Sequence, residues 1–171
     1  GKEVQFRKSS LIRIPVRLGK DSFTIGKISD DNITQIIKTM KAFKLIMEVN
    51  KVEDYMACAT SAMREATNGS EVVDLIKEKS GINIEIIDGK REAEIIASTD
   101  LKDLMEANHT YLYIDVGGGS TEFTFFNKGK VTISKSFKIG TVRILNNLVG
   151  DETWSQLKTW IEKNSQGQTK L

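Results

Sequence analysis

The chain of 171 residues holds one cysteine, one proline and one histidine, and aromatic residues make up only 7% of it. With a single cysteine, Cys58, no disulfide can close within the chain, and this usage suits a reducing compartment. Cys58 lies in the apolar run Tyr55-Met56-Ala57-Cys58-Ala59 and is expected to be a buried packing residue rather than a reactive thiol. The lone histidine, His109, excludes a histidine metal cluster or a histidine-pair relay; set between Asn108 and Thr110, it reads as solvated. No apolar run reaches bilayer-spanning length and no signal peptide is present, so the expected location is the cytoplasm. The formal net charge is only +2 and the basic residues are scattered, which argues against nucleic acid or a membrane surface as partner.

What is present is an ordinary apolar content, enough for a real core. Glu3–Val16 is rich in β-branched residues toward its end and reads as one or two strands, with Pro15 placing the second at an edge or near its end. Gly19-Lys20-Asp21 and Gly26-Lys27 read as turns. The cluster Ser29-Asp30-Asp31-Asn32 caps a helix whose apolar positions run from Ile33 to Met47. A short strand is expected over Val52–Ala57, then helices over Thr60–Ala66 and from Ser70 to Lys79, stopped by Gly81. Ile82–Ile87 reads as a strand and Arg91–Glu106 as a helix. A glycine hairpin and a strand over Val131–Phe137 follow, then a helix opened by Gly140-Thr141-Val142-Arg143. Asp151 caps a last helix carrying Trp154, Leu157, Trp160 and Ile161 on one side, with the two tryptophans expected in the core. Strands alternating with helices indicate α/β layering.

The stretch that carries chemistry is Asp115-Val116-Gly117-Gly118-Gly119-Ser120-Thr121-Glu122, entered and left by strands. Glycines can take φ > 0 and form a concave nest of amides for an anion. A two-residue turn would suffice to reverse the chain, so three successive glycines exceed what a hairpin requires. A carboxylate on each side suits a metal ion or a bound water. The alternatives are that Asp115 accepts the loop's own amides and that Glu122 is an exposed hairpin residue.

Four segments, taken in order, resemble the exopolyphosphatase and guanosine pentaphosphate phosphatase (Ppx/GppA) family of the actin-like ATPase superfold. They are Ala59–Asn68, Ile86–Ala93, Asp115–Glu122 and Gly140–Arg143. The resemblance implies an actin-like (ribonuclease H-like) α/β fold with most of domain I over 1–108 and the start of domain II over 109–171. It also implies an internal fragment, because nothing like the family's opening Asp-x-Gly-Ser-Asn-Ser loop precedes Gly1 and the family's second domain continues well beyond Leu171. A naturally minimal member is the alternative. Exposed sheet edges, and a second copy covering them as a homodimer, are then expected.

By the same resemblance Glu92 is the general base that activates water, a role a carboxylate at the start of a helix can fill. The helix dipole alone also favours an acidic residue there. Arg91 stands where the family often has a second glutamate; it either weakens the base or contacts phosphate. Arg64 is implied as a phosphate clamp through its planar fork, against a surface ion pair with Glu65 or Glu71. Gly117, Gly118, Gly119, Ser120 and Thr121 would cradle phosphate, and Arg143 would contact substrate or merely pair on its helix. Asp115 would hold Mg²⁺, with Glu122 positioning metal-bound or attacking water. The implied activity is release of terminal phosphate from inorganic polyphosphate or of the 5′-phosphate of guanosine pentaphosphate, with the fragment inactive by itself. The competing expectations are an ATP-binding member of the superfold and a non-catalytic polyphosphate- or nucleotide-sensing domain.

Overall fold

A computed structural model describes residues 11–98, 109–128 and 130–165. The chain divides between Asp88 and Gly89 into two compact units. The sequence reading divides it at 108/109; the two differ in where the helix bearing Glu92 belongs.

The first unit runs α1 (Leu18–Ile25), α2 (Asp30–Val49), β1 (Cys58–Ala59), α3 (Ser61–Glu65), α4 (Gly69–Ser80) and β2 (Glu85–Ile86). β1 and β2 pair in parallel, Cys58 with Glu85 and Ala59 with Ile86. Ile28, Met63, Ala66, Val72 and Ile76 form the buried core, backed by Ile33, Ile36, Ile37 and Met40 of α2. Val72, Ile76 and Ser80 recur every four residues on α4, which puts them on one face. Gly81 ends this helix at φ +74 with its N–H on the Lys77 carbonyl, as expected of a left-handed cap.

Ser29 caps α2, its hydroxyl accepting the Asn32 N–H. Asp21 Oδ2 accepts from the Ser29 amide at 3.0 Å, from Asn32 Nδ2 at 2.7 Å, and from the Ser29 hydroxyl. These bonds, the Ser29 hydroxyl foremost and against the cost of desolvation, hold the Asp21 carboxyl below the usual aspartate value.

Several expectations are corrected here. Gly19 is not a turn: it sits inside α1, where an added Cβ would lie 2.8 Å from the Phe23 ring, so it makes room for that ring. Leu11–Val16 forms no strand, and the earlier residues of that reading lie outside the described ones. Val52–Ala57 is irregular, with Val52, Tyr55 and Met56 exposed. Cys58 is exposed rather than buried: β1 pairs only with β2 among the described residues, and the thiol lines an open apolar cavity with Met40 and Phe43. Ser70 is not the cap of α4; Asn68 holds that position. Its side chain instead clamps Ile28, donating from Nδ2 to the Ile28 carbonyl and accepting the Ile28 N–H at Oδ1, both at 2.9 Å.

The second unit comprises α5 (Gly89–Ser98), β3 (Thr110–Val116), β4 (Thr121–Asn127), β5 (Lys130–Phe137), α6 (Thr141–Leu145) and α7 (Asp151–Asn164). The last part of the helix expected to reach Glu106 lies outside the described residues. The three strands form an antiparallel meander, β3-β4-β5, with β4 in the middle and its residues Thr121–Phe126 all buried. The alternation of strands splits the sheet into two faces. On one face Phe123, Phe125 and Phe137 surround the Trp160 ring of α7 at centroid distances of 6.3, 5.7 and 5.7 Å. Trp154 is not part of that core; it is 44% exposed. On the other face lie Asp115, Glu122, Thr124, Ser134 and Ser136, and α5 packs against β5 and β4. No described helix is long and apolar enough to cross a membrane.

Candidate active site

The β3–β4 connection is the four-residue loop Gly117–Ser120, closed by the Gly117 N–H on the Ser120 carbonyl at 2.9 Å. Among the described residues the glycines with positive φ are Gly26 and Gly81, so the triglycine run does not use left-handed backbone as expected. The loop and the segment around Gly140 meet backbone to backbone instead. The Thr141 and Val142 amides donate to the carbonyls of Gly117 and Gly118 at 3.0 and 2.9 Å. Arg143 Nε donates to the Gly119 carbonyl at 2.7 Å. A Cβ on Gly140 would fall 2.4 Å from the Gly118 carbonyl group and 2.5 Å from the Gly119 carbonyl carbon. This approach needs a glycine.

Three successive carbonyls therefore turn toward the start of α6. In a trans peptide the N–H points opposite to the C=O, and the described residues contain no cis bond. The amides of Gly118, Gly119 and Ser120 accordingly point away from the groups that bond those carbonyls.

The rung Asp115–Glu122–Ser136 crosses the three strands next to this loop. Glu122 is 3% exposed, not the exposed hairpin residue that was the alternative. A buried carboxylate needs hydrogen-bond donors. Two hydroxyls supply them to one oxygen, Oε1: Ser120 Oγ at 2.6 Å and Ser136 Oγ at 2.8 Å. The Ser120 side chain is thus committed to Glu122. Thr121 faces the opposite side of the sheet and gives its hydroxyl to the Ile139 carbonyl.

The start of α5 lies over the same rung: a Cβ on Gly89 would fall 2.8 Å from Ser136 Cβ and 3.8 Å from Glu122 Cγ. Glu92, in the first turn of α5, and Asp115 both act on Tyr113. Burial first, and then the negative charges of Asp115 and Glu92, push the Tyr113 phenol above its ordinary value. Glu92, Asp115 and Glu122 therefore gather on one face of one sheet. Tyr113 and Ser136 join them without having been read from the sequence. Their only signal there is position: Tyr113 is two residues from Asp115 and so shares its face.

Arg64 belongs to the first unit. Its Nη1 donates to the Ile87 carbonyl at 2.6 Å, tying α3 to the end of β2. Arg91 forms an ion pair with Glu94 at 3.5 Å on the surface of α5. Asp115 and Glu122 are hard oxygen donors on facing positions of one ladder, a set that suits Mg²⁺, which takes one or two carboxylates and keeps several waters. Among the described residues no group of three or more histidine, cysteine, aspartate or glutamate side chains is placed to hold a metal.

An α/β chain with this hairpin and carboxylate rung belongs to a definable class of proteins. The Ppx/GppA phosphatase family matches residues 8–165. The chain belongs to that family, and with it to the actin-like superfold. It is similar to a bifunctional 3-dehydroquinate synthase/phosphatase of Fusobacterium nucleatum, 31% identical over 164 residues that cover 87% of this chain and 24% of the relative. It is 23% identical to exopolyphosphatase 1 of Mycobacterium bovis, over 90% of this chain and 46% of that protein. Among solved structures, an exopolyphosphatase from Cytophaga hutchinsonii superposes with a TM-score of 0.71 at 29% identity, over 88% of this chain and 50% of the other. The chain thus spans half or less of the length of these relatives.

Proposed function

We propose that the protein carrying this chain hydrolyses terminal phosphoanhydrides, with inorganic polyphosphate the favoured substrate and guanosine pentaphosphate the other candidate. The observation that carries this reading is the triglycine loop, whose carbonyls are tied to the start of α6 so that its amides point away from it, with the Asp115–Glu122 rung beside it. The amides would hold non-bridging phosphate oxygens, and fixed donors there stabilise charge that grows on those oxygens during transfer. Arg143 braces the loop from below through the Gly119 carbonyl. Arg64, whose Nη1 donates to the Ile87 carbonyl within the first unit, is the side chain there whose planar guanidinium suits phosphate. Glu92 accepts the proton of the attacking water and Glu122 orients that water.

Asp115 and Glu122 are the side chains that would hold Mg²⁺. When bound, the ion would neutralise phosphate charge and polarise the phosphoryl group. The experiment is phosphate release from polyphosphate, guanosine pentaphosphate and ATP by the complete protein and its Glu92→Gln variant. Loss of a positioned base lowers the rate by about 10²–10⁴-fold. An unchanged rate in the variant removes Glu92 as base, and preference for ATP replaces the substrate assignment.

A further inference from the structure

Ser136 belongs to no segment that identifies the family, yet it ends on the same oxygen as the hairpin serine. Its Oγ reaches Glu122 Oε1 at 2.8 Å from β5, while Ser120 Oγ reaches the same atom at 2.6 Å from the loop. A serine hydroxyl has one proton to donate, so each commits its proton to Oε1 and neither engages Oε2. Two donors, one arriving from the loop and one from β5, fix the rotation of the carboxylate as well as its place. The α5 backbone at Gly89 presses close to Ser136 Cβ, which leaves no room for a side chain there. Ser136 is otherwise exposed. Removing its hydroxyl therefore opens no buried cavity.

We propose that Ser136 is a positioning residue for hydrolysis: its hydroxyl fixes the Glu122 carboxylate in the orientation that faces Asp115 across the ladder. The inference rests on the hydrolase reading given above. Groups that orient a ligating carboxylate through a hydrogen bond change metal affinity or activity roughly 10–100-fold when removed. Because Glu122 is buried, losing the Ser136 hydroxyl also lowers stability, so positioning is read from the KM-against-kcat split and the Mg²⁺ dependence, measured well below the melting transition.

The test compares wild type, Ser136→Ala, Ser136→Cys and Ser136→Thr. The complete protein is assayed for phosphate release from polyphosphate. Calorimetry then follows tripolyphosphate binding as Mg²⁺ is varied, a readout that needs no turnover. In the alanine variant kcat falls roughly 10–100-fold, KM stays within about threefold, and more Mg²⁺ is needed to half-saturate binding. The cysteine variant, close in size but a weak donor, falls with alanine. The threonine variant, which keeps the hydroxyl, recovers most of the rate. An alanine variant with wild-type kcat and Mg²⁺ dependence overturns the proposal. So does a fall in kcat with the Mg²⁺ dependence of binding unchanged, which would mark Ser136 as merely structural. A wild-type protein that neither binds nor hydrolyses any of these phosphates overturns the hydrolase reading itself, and this inference with it.

Discussion

Asp115 and Glu122 are direct partners on β3 and β4, so two carboxylates share one rung of the sheet while Glu122 is almost fully shielded from solvent. Like charges placed directly across an antiparallel ladder destabilise it by about 0.2–1 kcal/mol. Such an arrangement persists where function requires it. Asp115→Asn removes one charge and leaves both serine bonds to Glu122 intact. Without divalent cations the variant should melt about 1–4 °C higher than wild type, and it should lose phosphate release. Thermal scans by circular dichroism and a phosphate assay on the same preparations check both halves. A lower melting point would show that the opposition is already relieved.

Gly140→Ala places a methyl group onto the backbone of Gly118 and Gly119. Backbone cannot step aside as a flexible side chain can, so the cost should fall in the range of about 1–3 kcal/mol for overpacking. Gly150→Ala is the matched control, because nothing lies within 4 Å of the added carbon. It should cost only the few tenths of a kcal/mol that separate glycine from alanine at this helix start, up to about 1. Urea unfolding of the pair separates them.

Asn68→Ala leaves both the N–H and the carbonyl of Ile28 without their side-chain partner. Leaving such part-buried groups unsatisfied costs about 1–3 kcal/mol each before water repairs any of it. Asn68→Asp should lose part of this, since a carboxylate can accept the Ile28 N–H but cannot donate to its carbonyl. Chemical denaturation of the three proteins should rank them in that order.

Asp21 gives the pH dependence. Its folded carboxyl titrates below its unfolded value because the Ser29 hydroxyl, the Ser29 amide and Asn32 donate to it. The stability it contributes is therefore full above its unfolded value of about 3.9 and is lost as pH falls through the lower folded value. Asp21→Asn should be less stable than wild type at neutral pH, and the difference should shrink below about pH 4. Unfolding free energy measured from pH 7 down to pH 3 provides the check.

The parts of this fold legible in the sequence were those whose cause is local. The capping serine of α2 and the glycine stop after α4 each act within a few positions of themselves. The errors have a common origin in distant contacts. Leu11, Ile12 and Ile14 have strand-forming side chains, but a strand exists only where another chain segment pairs with it, and no described segment does. Gly19 looked like punctuation because its real reason, the Phe23 ring, is visible only once the helix is formed. At the site, the motif residues Glu92, Asp115 and Glu122 were legible as candidates. The convergence of Ser120 and Ser136 on one oxygen was not, because fifteen residues and a strand crossing stand between those two serines.

The exposed Cys58 is the one thiol in the sequence and lies in the first unit, whereas both tryptophans, Trp154 and Trp160, lie in the second. A fluorophore coupled to that sulfur and the intrinsic indole emission therefore report on separate halves of the same molecule. One titration with denaturant, read in two colours, would tell whether the halves melt together or in turn.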